Sequence, residues 1–325
     1  MRDNSIMKKI ISTLLLVSIL ALSGCKSSPE ETASSLKTTE NTTVSESVSE
    51  TTTIPETTEN TTLETVAETE KQTFKYEYGV FLSFEGKLDK LADYHTIVID
   101  AQYFKKEEIE AFKGRGHKVL SYINVGSLEN FRSYYKRFKA LKIARYENWD
   151  EEIWINVADS KWQEFMIGEM LPNLAGKGID GFFVDNCDVY YVSPTSDIMT
   201  GLTNIMKALK QTGLQVVING GDMYLDAYCK SGGSWDDVIT GINQENVFAK
   251  IIWKKNKFGK ASAKDHKYFV SYVERYSKLG ADIYLLEYTT DKKLISQIDD
   301  YCKTHGFEYY VSDSIELDLK NKNYS

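Results

Sequence analysis

The stretch Gly178-Ile179-Asp180-Gly181-Phe182-Phe183-Val184-Asp185-Asn186 decides how this chain is read. Gly178 follows a helix-like run and is a natural helix stop. Gly181 to Val184 are small or apolar, the pattern of a strand buried on both faces. The run then breaks off in an acid and an amide. A carboxylate at the carboxyl end of a buried parallel strand stands where α/β enzymes place their chemistry. Asp also favours turns, so Asp185 alone would equally suit a loop cap.

Seven more strand-like runs recur on either side of it: 78–84, 96–102 and 118–126 before, and 215–221, 238–246, 282–288 and 308–313 after. The runs between them carry helical periodicity. Ile198, Leu202, Ile205, Met206 and Leu209 fall on one face. Trp162, Phe165, Met166, Met170 and Leu174 do the same, behind a capping box of Ser160 and Gln163. Gly114, Gly116, Gly178, Gly213, Gly280 and Gly306 precede strands, where helix C-caps belong. Residues 154–157 read as a short extra strand in the long third connection. Eight strand–helix units across residues 73–325 predict a closed (β/α)8 TIM barrel. A doubly wound open sheet fits less well, because no Gly-rich phosphate loop follows the first strand.

The chain before residue 73 differs in kind. Arg2, Lys8 and Lys9 precede an apolar run too short to span a bilayer comfortably, the pattern of a signal peptide. It ends in Leu22-Ser23-Gly24-Cys25, which looks like a bacterial lipobox, with Cys25 as the lipidated residue and the outer face of the cell membrane as the destination. Residues 26–72 hold fourteen Thr, seven Ser and ten Glu but no aromatic residue. Such a segment buries too little apolar surface to offset its ordering entropy and is expected to be a disordered tether. The net charge of −8 divides as +2 for residues 1–25, −7 for 26–72 and −3 for 73–325. No basic stripe appears, so a nucleic-acid partner is not expected. Cys187, Cys229 and Cys302 are an odd set with no metal-ligand spacing, and buried thiols are the simplest reading.

In a barrel, the loops after the strands' carboxyl ends form the active face. Those ends carry Glu85, Asp100, Asn124, Asp185 with Asn186, Asn219, Glu245 with Asn246, Glu287 and Asp313, and no Lys or Arg. Tyr103, Tyr122, Tyr190, Tyr191, Tyr224 and Tyr288 lie close by in sequence. Amides and acids bind hydroxyls, and rings stack on the apolar faces of sugars. The four His residues lie before strands or in helices. A Ser-His-Asp triad and a His-rich zinc site are therefore not expected, nor is any cofactor or metal. Asp185 and Glu245 stand out as a pair: each follows a Gly four residues earlier on its own side of the strand, on strands of equal parity. Two such carboxylates are what glycoside hydrolysis needs.

The segments Tyr122-Ile123-Asn124-Val125-Gly126-Ser127-Leu128-Glu129, Gly178 to Asn186, and Gly241-Ile242-Asn243-Gln244-Glu245-Asn246 resemble glycoside hydrolase family 114. The resemblance implies a (β/α)8 barrel acting as an endo-α-1,4-polygalactosaminidase on a hexosamine polysaccharide. It implies that Asp185 and Glu245 are the catalytic acids; of the two, our own reading leans to Glu245 as the proton donor, an assignment the sequence leaves open. Asp100, Tyr122, Asn124, Asn186, Asn219 and Glu287 are expected around the substrate. An α-linked N-acetylgalactosamine holds its acetamido group cis to the leaving oxygen, so the protein must supply both carboxylates itself. Two other readings are weighed against this one: a non-catalytic barrel that binds polysaccharide, and a metal-dependent hydrolase using the acid ring. The acid-rich tips also lead us to expect preference for a polymer carrying free amines, weakening with salt.

Overall fold

A computed structural model describes residues 73–255 and 257–319. The expected signal peptide, the lipobox at Cys25 and the tether lie outside the described residues. Eight strands form one sheet: β1 (Tyr76–Phe81), β2 (Tyr94–Ile99), β3 (Lys118–Asn124), β4 (Gly181–Asp185), β5 (Gln215–Asn219), β6 (Gly241–Glu245), β7 (Asp282–Tyr288) and β8 (Glu308–Ser312). They lie in chain order, and every hydrogen-bonded neighbour pair is parallel. β1 also packs beside β8, which closes the sheet into an α/β barrel. Aromatic rings fill that junction: Phe81 meets Tyr310 edge-on with centroids 5.3 Å apart and Tyr94 at 4.8 Å. Such contacts add to the stabilisation from burying the rings themselves.

Helices Lys106–Lys113, Ser196–Gln211, Ala263–Lys278 and Lys292–His305 pack their apolar stripes on the barrel. Side chains begin three of them: Thr195, Ser262 and Asp291 accept from backbone N–H groups of the first turn, satisfying donors that have no partner inside the helix. The helical run from Ser160 is capped by Asp159, which accepts from the Lys161 N–H, and not by Ser160 as expected. Gln163 instead reaches the carbonyls of Val157 and Ala158. Gly178 has the left-handed φ of 79° that its helix-stop role requires. Gly114 stays right-handed, so the turn out of its helix is made by Gly116.

Two antiparallel additions stand on the carboxyl-terminal side of the barrel. The β3–β4 connection folds into a three-stranded sheet of Ser127–Glu129, Glu152–Ile155 and Lys142–Arg145, with Glu152–Ile155 in the middle. This contains the short extra strand expected at 154–157, begun two residues earlier. The β6–β7 connection starts with a ribbon of Ala249–Ile252 and Lys257–Lys260. Trp162 ties the helical layer to the first addition: it is fully buried and its indole N–H donates to the Val125 carbonyl at 2.8 Å.

Candidate active site

Register brings the polar strand ends to one level. Asn124 of β3 lies opposite Asp185 of β4, and Asn219 of β5 opposite Asn243 of β6. The chain turns sharply after each of the two paired acids. Asn186 and Asn246 both take left-handed backbone conformations, with φ of 67° and 54°. Asn tolerates that region better than other side-chain-bearing residues do. Gly126 is needed beside the first turn: a Cβ there would fall 1.8 Å from the Asn186 carbonyl oxygen. That close approach lets the Val125 N–H donate to the Asp185 carbonyl at 3.1 Å.

Asn219 joins the two acids. Its amide nitrogen donates to Asp185 Oδ1 at 3.0 Å and to Glu245 Oε1 at 2.7 Å. Its carbonyl oxygen accepts from Asn243 Nδ2 at 2.7 Å, and Asn243 in turn accepts from the Tyr78 hydroxyl at 3.2 Å. This chain fixes which way the Asn219 amide faces. With the roughly 120° spread of an amide's two hydrogens, the bridged oxygens are about 5 Å apart, and at most about 5.7 Å. Asp185 and Glu245 are 1% and 2% exposed. Burial pushes the Asp185 carboxyl up to about 7, against the donors Asn219 and Tyr122 and the backbone N–H of Asn186, which hold it down.

The remaining expected residues divide by what they touch. The Tyr122 hydroxyl reaches Asp185 Oδ2 at 3.2 Å and Glu129 Oε1 at 3.3 Å. Asn186 Nδ2 lies 3.4 Å from Asp185 Oδ2, 2.9 Å from Ser127 Oγ and 3.2 Å from Glu152 Oε1. Asn124 spends both ends of its amide on Ser127 and Glu152, so it braces the loop. Glu287 is fully buried, and its two oxygens accept from the N–H groups of Phe248 and Ala249 at 2.9 and 2.8 Å. It holds down the start of the β6–β7 ribbon. Asp100 accepts from Arg132 Nη1 at 2.6 Å. Tyr224 and Tyr288 are fully buried and offer no ring face, whereas Tyr191 is exposed.

Two participants, Arg132 and Glu152, come from the insertion after β3 and not from barrel-strand ends. Arg132 is buried between Asp100 and Glu129, with Nη2 2.9 Å from Glu129 Oε1. Burial works against its charge, but the two carboxylates outweigh that and raise its pKa. Breaking such a buried pair from one side typically costs about 3–5 kcal/mol. Glu152 accepts from Ser127 Oγ, Asn124 and Asn186, and burial with Glu129 nearby raises its carboxyl well above the usual range. The expectation of an acid ring without cations is therefore corrected. The strand tips hold none, but Arg132 of the β3–β4 connection neutralises part of the ring, and Lys250, Lys254, Lys255, Lys257 and Lys260 stand along the β6–β7 connection. Glu85 is exposed and takes no part in the buried network. The signal for Arg132 and Glu152 was the length of the third connection, which is more than a helix needs.

No His lies at these strand ends, and Cys187, Cys229 and Cys302 are free. Among the described residues, no three His, Cys, Asp or Glu side chains are grouped to hold a metal ion. A parallel α/β barrel with two buried carboxylates joined by one amide at the tips of β4 and β6 is the frame of a carboxylate-pair glycoside hydrolase. The chain belongs to glycoside-hydrolase family GH114, whose model matches residues 55–321. It is similar in fold to the glycoside hydrolase domain of PelA from Pseudomonas aeruginosa (TM-score 0.62, 16% identity, covering 76% of this chain and 97% of that one). It is likewise similar to Aspergillus fumigatus Ega3 in complex with galactosamine (TM-score 0.60, 16% identity, 78% and 96%). No curated protein matches the chain.

Proposed function

We propose that this glycoside hydrolase cleaves α-1,4-linked galactosamine and N-acetylgalactosamine polysaccharide, outside the cell and anchored to its membrane through lipid on Cys25. The observation that carries the catalytic reading is the Asn219 bridge. It sets the oxygens of Asp185 and Glu245 about 5 Å apart, the spacing of a retaining rather than an inverting pair. Asp185, surrounded by donors from Asn219, Tyr122 and Asn186, is the nucleophile: its carboxylate forms the bond to the anomeric carbon as the glycosidic C–O bond breaks. Glu245 gives its proton to the departing oxygen. Glu245 then removes a proton from water, which attacks the same carbon and releases Asp185. The family membership and the Ega3 complex with galactosamine support the substrate class.

The first product followed by proton NMR should be the α-anomer, and a β-anomer would overturn the retaining assignment. Product formation should be unchanged by EDTA. Activity lost to EDTA and restored by a divalent ion would favour the metal-dependent reading instead. Rates compared across acetylation levels, at low and high salt, test the preference for free amines. The anchor is tested separately by mass spectrometry of the mature N-terminus, where an unmodified start anywhere but Cys25 would end it.

Asp185 must be ionised to attack, and its carboxyl titrates near 7. The rate constant kcat/KM should therefore fall below pH 7, approaching tenfold per unit. Tyr122→Phe removes a donor that holds this value down, so its acidic limb should move to higher pH. An unmoved limb would show that Asp185 does not set it.

A further inference from the structure

The β3–β4 and β6–β7 connections meet through a pair of tryptophans. Trp149 lies in the turn before Glu152–Ile155, and Trp253 directly follows Ala249–Ile252. Their rings cross at 88° with centroids 5.4 Å apart. The sheet order is β3-β4-β5-β6. A contact between the loops of β3 and β6 thus joins the two sides of β4 and β5, whose tips carry Asp185 and Asn219. The first loop is tied to the catalytic level from below. Tyr146, three residues before Trp149, donates to Asn186 Oδ1 at 3.2 Å, and the Trp149 carbonyl accepts from the Glu152 N–H at 3.2 Å. Both tryptophan side chains are half-buried. Their indole N–H groups are shielded from solvent, yet no acceptor among the described residues reaches either nitrogen.

Two half-buried tryptophan rings that meet edge to face where two loops of the active face touch leave part of their ring surface uncovered. They match what an amino sugar offers. A galacto-configured ring presents an apolar face of C–H groups for stacking, and a protonated amine is drawn to the face of Trp. We propose that Trp149 and Trp253 form a sugar-binding subsite of the polymer cleft, which holds a galactosamine unit adjoining the scissile bond. The inference rests on the galactosamine-polymer reading above. The subsite acts in binding and positions the chain; the bond-breaking groups remain Asp185 and Glu245.

The test uses the full-length protein and partly deacetylated α-1,4-galactosaminan. Trp149→Ala and Trp253→Ala should each raise KM about tenfold while kcat stays within about threefold. Trp149→Phe and Trp253→Phe, which keep a ring, should stay within about threefold of the parent in KM. In the Glu245→Gln background, galactosamine oligomers should quench tryptophan fluorescence, and the quench should shrink in both Ala variants. If one Ala variant does not fold, the other and the two Phe variants carry the test. Unchanged KM, or a loss confined to kcat as from loosened loops, would overturn the subsite while leaving the substrate reading intact. A parent protein inert toward the polymer would overturn the substrate reading and the subsite with it.

Discussion

Asp185→Asn is expected to lower kcat on galactosaminan by at least a thousandfold, and the same protein is expected to melt several degrees higher at pH 8. The two effects have one cause. The replacement is nearly isosteric, and its carbonyl oxygen still accepts from Asn219, so the bridge at 3.0 Å survives. What is lost is the negative charge that bonds to the anomeric carbon. That charge is costly in the resting fold. The folded carboxyl, at about 7, lies above its ordinary value of 3.8 because it is buried. Its protonated form therefore stabilises the fold fully below about pH 4, and this contribution is lost as pH rises through 7. Above 7 the parent carries a buried charge that the Asn variant lacks. The gain is about 4 kcal/mol, a rise of about three pKa units at about 1.4 kcal/mol each. Melts at pH 3.5, 5 and 8 check the sign: the gap should be widest at pH 8, narrower at pH 5 and nearly absent at pH 3.5. Glu245→Gln should lose a comparable share of kcat on natural polymer. Azide rescue in a Glu245→Ala variant, giving an α-glycosyl azide, would separate the acid–base residue from the nucleophile, whose removal would give the β-glycosyl azide instead. Near-parental activity in either variant would remove that residue from its assigned role.

Asn219→Ala is expected to lower kcat about a hundredfold with a smaller change in KM. Asn219 touches neither the anomeric carbon nor the leaving oxygen in this assignment; it positions the two groups that do. Its two N–H bonds, at 3.0 and 2.7 Å, set the spacing of the pair. Small displacements of reacting groups cost heavily in rate. Truncation also leaves Asn243 Nδ2 without the acceptor it reaches at 2.7 Å, a buried donor whose loss of partner costs about 1–3 kcal/mol. The readout that a purely structural role would not move is the pH profile. Asn219 holds the Asp185 carboxyl down, so its removal should shift the acidic limb upward. Asn219→Asp should be worse than Ala, because it sets a third carboxylate between two others. If Asn219→Ala retains both kcat and the position of the limb, the bridge is not what tunes the pair.

Much of the frame was legible because it is built from local signals. Each of the eight expected runs overlaps a barrel strand, and the misjudgements fall at ends: the first two strands start two residues before their runs, at Tyr76 and Tyr94. The sixth strand starts at Gly241 and not at 238, since Trp235–Asp237 forms a turn of 3-10 helix just before it. The Asp159 cap was missed because Asp and Ser stand side by side, and only the folded backbone shows which oxygen faces the Lys161 N–H. Arg132, Glu152 and Asn243 were missed for another reason. Arg132 reaches Asp100 across 32 residues, and Glu152 reaches Asn186 across 34. No local pattern encodes such a partner. Asn243 sits inside a strand where an apolar side chain would be the default, and its purpose appears only beside Asn219 and Tyr78.

The sequence by itself determined the barrel, the family resemblance and the nomination of Asp185 and Glu245. Strand ends follow from apolar runs that stop at an acid or amide, and a parallel barrel turns all those ends to one face. Only the tertiary structure decided how that face works. It showed that one amide spans the two acids, that Glu287 holds a loop, that Arg132 neutralises part of the acid ring, and that two distant loops bring Trp149 to Trp253. These depend on distances between strands far apart in the chain. Closure of the barrel sets those distances, and burial gives the resulting contacts their energetic weight.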